Sequence, residues 1–119
     1  MSEAFDIVKA CVKGLDDKKG LDIKVIKVDD ITILCDYFVI CNGTSATQVK
    51  TLCDNVEYEV EKIGHKAIHR EGMSSGGWIL IDFGSVIVHV FMEKQREFYK
   101  MERMWADGIE IDISQMINK

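Results

Sequence analysis

Two apolar runs, Trp78 to Phe83 (WILIDF) and Val86 to Met92 (VIVHVFM), are separated only by Gly84 and Ser85. A two-residue connection between runs rich in β-branched residues reads as a hairpin closed by a primed turn. So short a connection leaves little freedom of register. If Phe83 opposes Val86, alternation places Ile79, Ile81, Phe83, Val86, Val88 and Val90 on one face. That face is an unbroken apolar layer and belongs to a core. The other face receives Trp78, Leu80, Asp82, Ile87, His89 and Phe91. Because it mixes large apolar groups with a carboxylate and an imidazole, this face is either less completely buried or functional.

The rest of the chain supplies partners for such a hairpin. Phe5, Val8, Val12 and Leu15 recur at helical spacing within Glu3 to Asp17, with Ser2 as N-cap and Gly20 as the closing residue. Asp22 to Val28 (DIKVIKV) reads as a half-exposed strand, and Asp36 to Gly43 (DYFVICNG) as a strand buried on both faces. Ser45 with Gln48 forms a capping box before a helix whose stripe is Val49, Leu52, Cys53, Val56, Val60 and Ile63, ended by Gly64. Lys66 to Arg70 reads as a short strand, Gly72 to Gly77 as a loop, and Glu93 to Trp105 as a last helix. The expectation is an α/β domain with a mixed five-stranded sheet flanked by helices, in the order α-β-β-α-β-β-β-α. Beyond it, Ile109, Ile111 and Ile113 alternate with polar residues, which suits an edge strand, a tail or a partner-binding segment.

With 119 residues the chain matches one domain, and 47% hydrophobic with 29% charged residues is a globular composition. A net charge of −5 argues against a generic nucleic-acid binder, because neutralising phosphates requires clustered Lys and Arg. A protein partner, rich in Lys and Arg, fits better. Cys11, Cys35, Cys41 and Cys53 form no C-x-x-C pair and sit among apolar neighbours, so core packing in a reducing cytosol is expected. No apolar leader and no run of membrane-spanning length is present, giving a cytoplasmic, soluble expectation without a membrane role.

Candidate chemistries are sparse. Gly43-Thr44-Ser45 opens a helix where an anion can sit, yet no phosphate-loop or dinucleotide fingerprint surrounds it, and the same residues serve to turn the chain and cap the helix. Asp82 stands alone on its strand, and Asp29 with Asp30 suits a turn, so no carboxylate pair converges on a metal. His65 and His69 have helical zinc spacing in a segment that reads as strand. His89 lies diagonal to Asp82, with no nucleophile spaced to join them; an imidazole hydrogen-bonded within a partly buried sheet face accounts for it. Catalysis, cofactor and metal are therefore not expected. Trp78 and Trp105 are either core or anchors of a binding surface, since Trp, Tyr and Arg dominate interface hot spots.

The segments DYFVICNGTSATQVK, WILIDFGSVIVHVF and REFYKMERMWAD, in that order, resemble the ribosomal silencing factor family, also called Iojap-like proteins. The likeness covers residues 1–107 as one domain and leaves 108–119 as a C-terminal tail; Met101 and Met104 stand where leucine is usual. The resemblance implies a nucleotidyltransferase-like core lacking the catalytic carboxylate pair. It also implies binding to large-subunit ribosomal protein fourteen, which blocks joining of the small subunit and represses translation under nutrient limitation. Self-association into a homodimer when free is implied as well. By motif, the docking residues are Trp78, Asp82 and Phe83 from the hairpin and Arg96, Tyr99, Glu102 and Trp105 from the last helix. Phe83 sits uneasily in this set, since alternation sends it to the core side. A degenerate nucleotidyltransferase and a large-subunit assembly factor are the alternatives.

Overall fold

In the computed structural model, residues 3–30, 32–72, 77–92 and 108–117 are described. They form α1 (Glu3–Asp17), β1 (Leu21–Lys27), β2 (Tyr37–Gly43), α2 (Ala46–Lys62), β3 (His69–Glu71), β4 (Trp78–Asp82), β5 (Val86–Met92) and β6 (Ile109–Ile111). The hairpin has the expected register: Trp78 pairs with Phe91, Leu80 with His89 and Asp82 with Ile87. Phe83 N–H donates to Val86 O at 2.9 Å, closing the turn. Gly84 carries a φ of 90° while Ser85 has no positive φ, the pattern of a type II′ connection.

β5 does not end the sheet. It runs parallel to β2, Tyr37 beside Val86 through Gly43 beside Met92. The full order is β3-β4-β5-β2-β1-β6, so the two most apolar strands lie in the middle. A strand with neighbours on both edges and material on both faces must be apolar throughout, which is why Phe38 to Gly43 are all buried. The sheet has six strands rather than the five expected. The additional one, β6, pairs antiparallel with β1 through Val25–Ile111, Ile26–Glu110 and Lys27–Ile109. Of the three readings open for Ile109 and Ile111, the edge strand is the one adopted.

Alternation divides the apolar side chains into two clusters. On one face Val25, Val39, Cys41, Ile79, Ile81, Phe83, Val86, Val88 and Val90 meet Val8, Val12, Leu15, Val49, Leu52, Cys53 and Val56 from α1 and α2. On the other, Ile26, Val28, Cys35, Phe38, Ile40 and Phe91 gather, with Trp78 and Ile87 packed against them. All four cysteines are buried and free, as apolar filling. Burial pushes the Cys35 thiol up to about 11 and the Cys53 thiol up to about 12, so neither supplies thiolate near neutrality. The helices cross where α1 has no side chain. A Cβ on Gly14 would lie 2.9 Å from Asn55 O and from Val56 Cα, and Asn55 Nδ2 donates to Gly14 O at 2.8 Å across the same crossing.

At two helix termini the expected residues act in a way the sequence did not specify. At the end of α1 the left-handed residue is Lys19, φ 63°, and not Gly20. Gly20 is required for space instead, since a Cβ there would stand 2.5 Å from Cys41 Sγ. Replacing Lys19 with glycine removes the left-handed penalty without touching the core. It is expected to stabilise the fold by about 0.5–1 kcal/mol after the added unfolded-chain entropy, measurable by urea denaturation. At α2, Ser45 Oγ does accept from Gln48 N at 3.1 Å. The return half of the box is shifted: Gln48 Oε1 takes the Thr44 N–H at 2.6 Å and the Thr44 hydroxyl at 2.8 Å. The Gln48 amide also donates to Lys19 O at 3.2 Å, tying the start of α2 to the end of α1.

The expected helix of residues 93–105 lies outside the described residues, and with it Arg96, Tyr99, Glu102 and Trp105.

Candidate docking face

The hairpin face opposite the helices carries the chemistry. Because Trp78 pairs with Phe91 and Leu80 with His89, three ring systems fall side by side on adjacent strands. Trp78 and Phe91 stack at 5.5 Å between centroids with planes 8° apart. Trp78 and His89 stand 6.0 Å apart at 18°, and Phe38 meets the imidazole nearly edge-on, 5.0 Å away at 82°. Phe91 is fully buried and His89 only 4% exposed. Trp78 is half-buried and reaches the surface.

A hydrogen bond joins the two polar members, Trp78 Nε1 donating to His89 Nδ1 at 3.3 Å. An indole N–H can only donate, so Nδ1 accepts and the ring is neutral with its proton on Nε2. Nε2 has no hydrogen-bond partner among the described residues. Desolvation moves the His89 pKa down from 6.5 to about 4. Between those values the unfolded chain takes up a proton that the folded chain refuses. Stability is therefore complete above pH 6.5 and declines as pH falls toward 4, by about 3 kcal/mol in all. Urea denaturation at stepped pH should show this slope, and His89→Phe should flatten it.

Asp82 ends β4 and is half-buried. Its Oδ1 accepts the Gly84 N–H at 2.7 Å, so one oxygen holds the turn while Oδ2 has no partner among the described residues. Asp36 and Asp82 both act on the Cys35 thiol, placing two carboxylates near that residue. The diagonal His89–Asp82 relationship yields no hydrogen bond. Phe83 is 7% exposed within the helix-side cluster, so its side chain is taken by the core and unavailable for docking. The face thus brings Trp78 and Asp82 to one hairpin and turns Phe83 away.

Other sequence candidates resolve as structure. His69 Nε2 contacts Glu71 Oε2 at 2.8 Å on exposed β3, and among the described residues no three His, Cys, Asp or Glu side chains converge as for a metal. Gly43 to Ser45 form the α2 cap described above. Two features were not anticipated. Arg70 Nη1 bonds Glu57 Oε2 at 2.7 Å and Asp54 Oδ1 at 3.0 Å, clamping edge strand β3 to α2; no local motif announces partners so far back in sequence. Ile33, Leu34 and Ile68 are exposed, at 102%, 73% and 72%. Ile68 adjoins Gly84, and Asp36 N–H donates to Ser85 O, so both loops meet the turn end of the hairpin. An apolar run in a loop looks like core in sequence, and only the fold shows that this one is outside. No helix among the described residues is long and apolar enough to cross a membrane.

The family model described as ribosomal silencing factor during starvation matches residues 1–119. The chain belongs to the ribosomal silencing factor family. It is similar to the ribosomal silencing factor of Bacillus subtilis, 32% identical over 113 residues, covering 95% of this chain and 96% of that protein. It is also similar to the mouse protein named for mitochondrial assembly of the ribosomal large subunit, 33% identical over 108 residues, spanning 86% of this chain and 46% of that protein. A crystal structure from Chromobacterium violaceum matches with a TM-score of 0.85 and 33% identity, over 88% of each chain. Ribosomal silencing factors are regulatory proteins by name, and the match includes β6, beyond the 1–107 span of the sequence resemblance.

Proposed function

We propose that the protein silences translation under nutrient limitation by docking on the large ribosomal subunit, through large-subunit ribosomal protein fourteen, and blocking association with the small subunit. The observation that carries this reading is the half-exposed Trp78, seated on a rigid aromatic stack on the sheet face away from α1 and α2. A large apolar ring already held in place gives binding area with little ordering to be lost. Asp82 adds a carboxylate at the turn, suited to Lys or Arg of a basic ribosomal protein, and its charge directs register and encounter more than affinity. Arg96, Tyr99, Glu102 and Trp105 complete the surface by motif. The action is cytoplasmic, needs no cofactor, and involves no catalysis on the nucleotidyltransferase-like core; the free form self-associates.

The test is sedimentation of purified protein with isolated subunits, followed by a joining assay. Travel with the large subunit and loss of joined ribosomes support the reading. Travel with neither subunit sinks it. The name of the mouse relative favours one further reading, assembly of the large subunit. Binding to immature particles in preference to mature subunits, with joining unimpaired, would select that alternative.

A further inference from the structure

We propose that His89 is a positioning residue for Trp78, fixing the orientation in which the indole meets a partner. The inference rests on the docking reading for its consequence, though the contact itself is independent of any partner.

A half-exposed tryptophan on a strand has two side-chain torsions free to wander, and an edge that sometimes faces a partner is a poor anchor. Among the described residues, two contacts restrain Trp78. Phe91 stacks on it from the paired position of β5, 5.5 Å away. That contact holds the plane of the indole but is indifferent to rotation of the ring within its plane, because apolar stacking is weakly directional. His89 opposes that rotation: its Nδ1 accepts the indole N–H at 3.3 Å while its ring lies 18° from parallel. The imidazole is itself closely packed. It is 4% exposed, braced edge-on by Phe38 and flanked by Phe91 at 6.2 Å.

The unpaired Nε2 supports a positioning role over a purely structural one. A buried N–H without an acceptor is unfavourable, and an apolar ring of similar shape would pack at this site without that penalty. What phenylalanine could not do is accept a hydrogen bond from Trp78. The group that faces His89 from each neighbouring strand is aromatic or aliphatic: Phe38 and Ile40 from β2, Trp78 and Leu80 from β4, and Phe91 on β5 itself. Nothing ionic among them competes for the imidazole, so the bond to the indole is its one directional contact among the described residues.

Asparagine reproduces the Nδ1 acceptor with its side-chain oxygen, whereas phenylalanine keeps the stack and deletes the acceptor. In a Trp105→Phe background, the Trp78 indole N–H is the sole indole signal in an amide-type NMR spectrum. It should move and exchange faster with solvent in His89→Phe, and stay near its original position in His89→Asn. With Trp105 intact, His89→Phe should bind large subunits about fivefold more weakly, the value of one hydrogen bond, and His89→Asn within about twofold of wild type. Trp78→Phe removes the donor instead, and in combination with His89→Phe should add nothing further. An unmoved indole signal in His89→Phe overturns the proposal, as does full binding by that variant, equal loss in His89→Asn and His89→Phe, or additive loss in the double variant. Should His89→Phe fail to fold, Trp78→Phe against the same subunits decides, full binding overturning the proposal. If wild-type protein bound no subunit, the docking reading would fall while the NMR comparison still judged the His89–Trp78 lock.

Discussion

Valine in place of Gly14 will lower stability by about 3 kcal/mol and the melting temperature by roughly 12 °C. The reason is backbone against backbone. A Cβ at this position meets Asn55 O and Val56 Cα at 2.9 Å, atoms that cannot rotate away as a side chain would. The two further methyls of valine force α1 and α2 apart along a seam lined by Val8, Cys11, Val12, Leu52, Val56 and Val60, all with no exposed surface. Separation of the helices also stretches the 2.8 Å bond from Asn55 to Gly14 O. Gly14→Ala should show the same sign at lower cost, because the gain of up to about 1 kcal/mol in helix propensity offsets part of the clash. Thermal unfolding followed by circular dichroism measures both. If alanine proved stabilising, the crossing would be looser than the geometry states.

The second large effect concerns binding. Trp78→Ala should weaken association with large subunits by about 30-fold or more, the scale of an interface hot spot. It should also reduce fold stability by about 2 kcal/mol, since Trp78 is packed against the Phe38, Ile40 and Phe91 cluster. Binding is therefore to be measured well below the melting temperature, with unfolded fraction checked in the same sample. Ile109→Ser is the matching control. Ile109 is 55% exposed on β6 at the far edge of the sheet, and its loss should leave binding unchanged. Equal weakening by both variants would point to a stability artefact and away from Trp78 as the anchor.

The hairpin was legible because a two-residue connection ties register to periodicity, and Phe83 N–H to Val86 O is the bond that a slip by one would break. The same alternation foretold that Phe83 belongs to the core, against its place in the motif-derived docking set. Local rules were less reliable where several residues can satisfy one geometry. Glycine is the usual left-handed closer of a helix, but Cys41 and Leu52 crowd position 20 so closely that Gly20 is spent on space and Lys19 takes the turn. Gln48 is within reach of either Thr44 or Ser45, and the N–H of Thr44 wins. β6 has only three residues, too few for alternation to distinguish a strand from a tail; the pairing partner β1 lies some eighty positions earlier and decides the matter. Arg70 with Asp54 and Glu57 was silent for a related reason, since an ion pair between a helix and an edge strand leaves no periodic trace.

The parallel pairing of β2 with β5 has a consequence for how the chain is made. Tyr37–Gly43 emerges from synthesis well before Val86–Met92, and no earlier strand stands in for the missing neighbour. At the usual 5–20 residues per second, about 2–10 s pass between completion of the two strands. Throughout that interval β2 has one open edge bearing Val39, Ile40 and Cys41, an apolar segment of the kind that pairs with the wrong chain. The nascent protein therefore waits, half-assembled, for its own middle strand, and its yield should rise when elongation through codons 44–92 is fast or when a chaperone covers that edge.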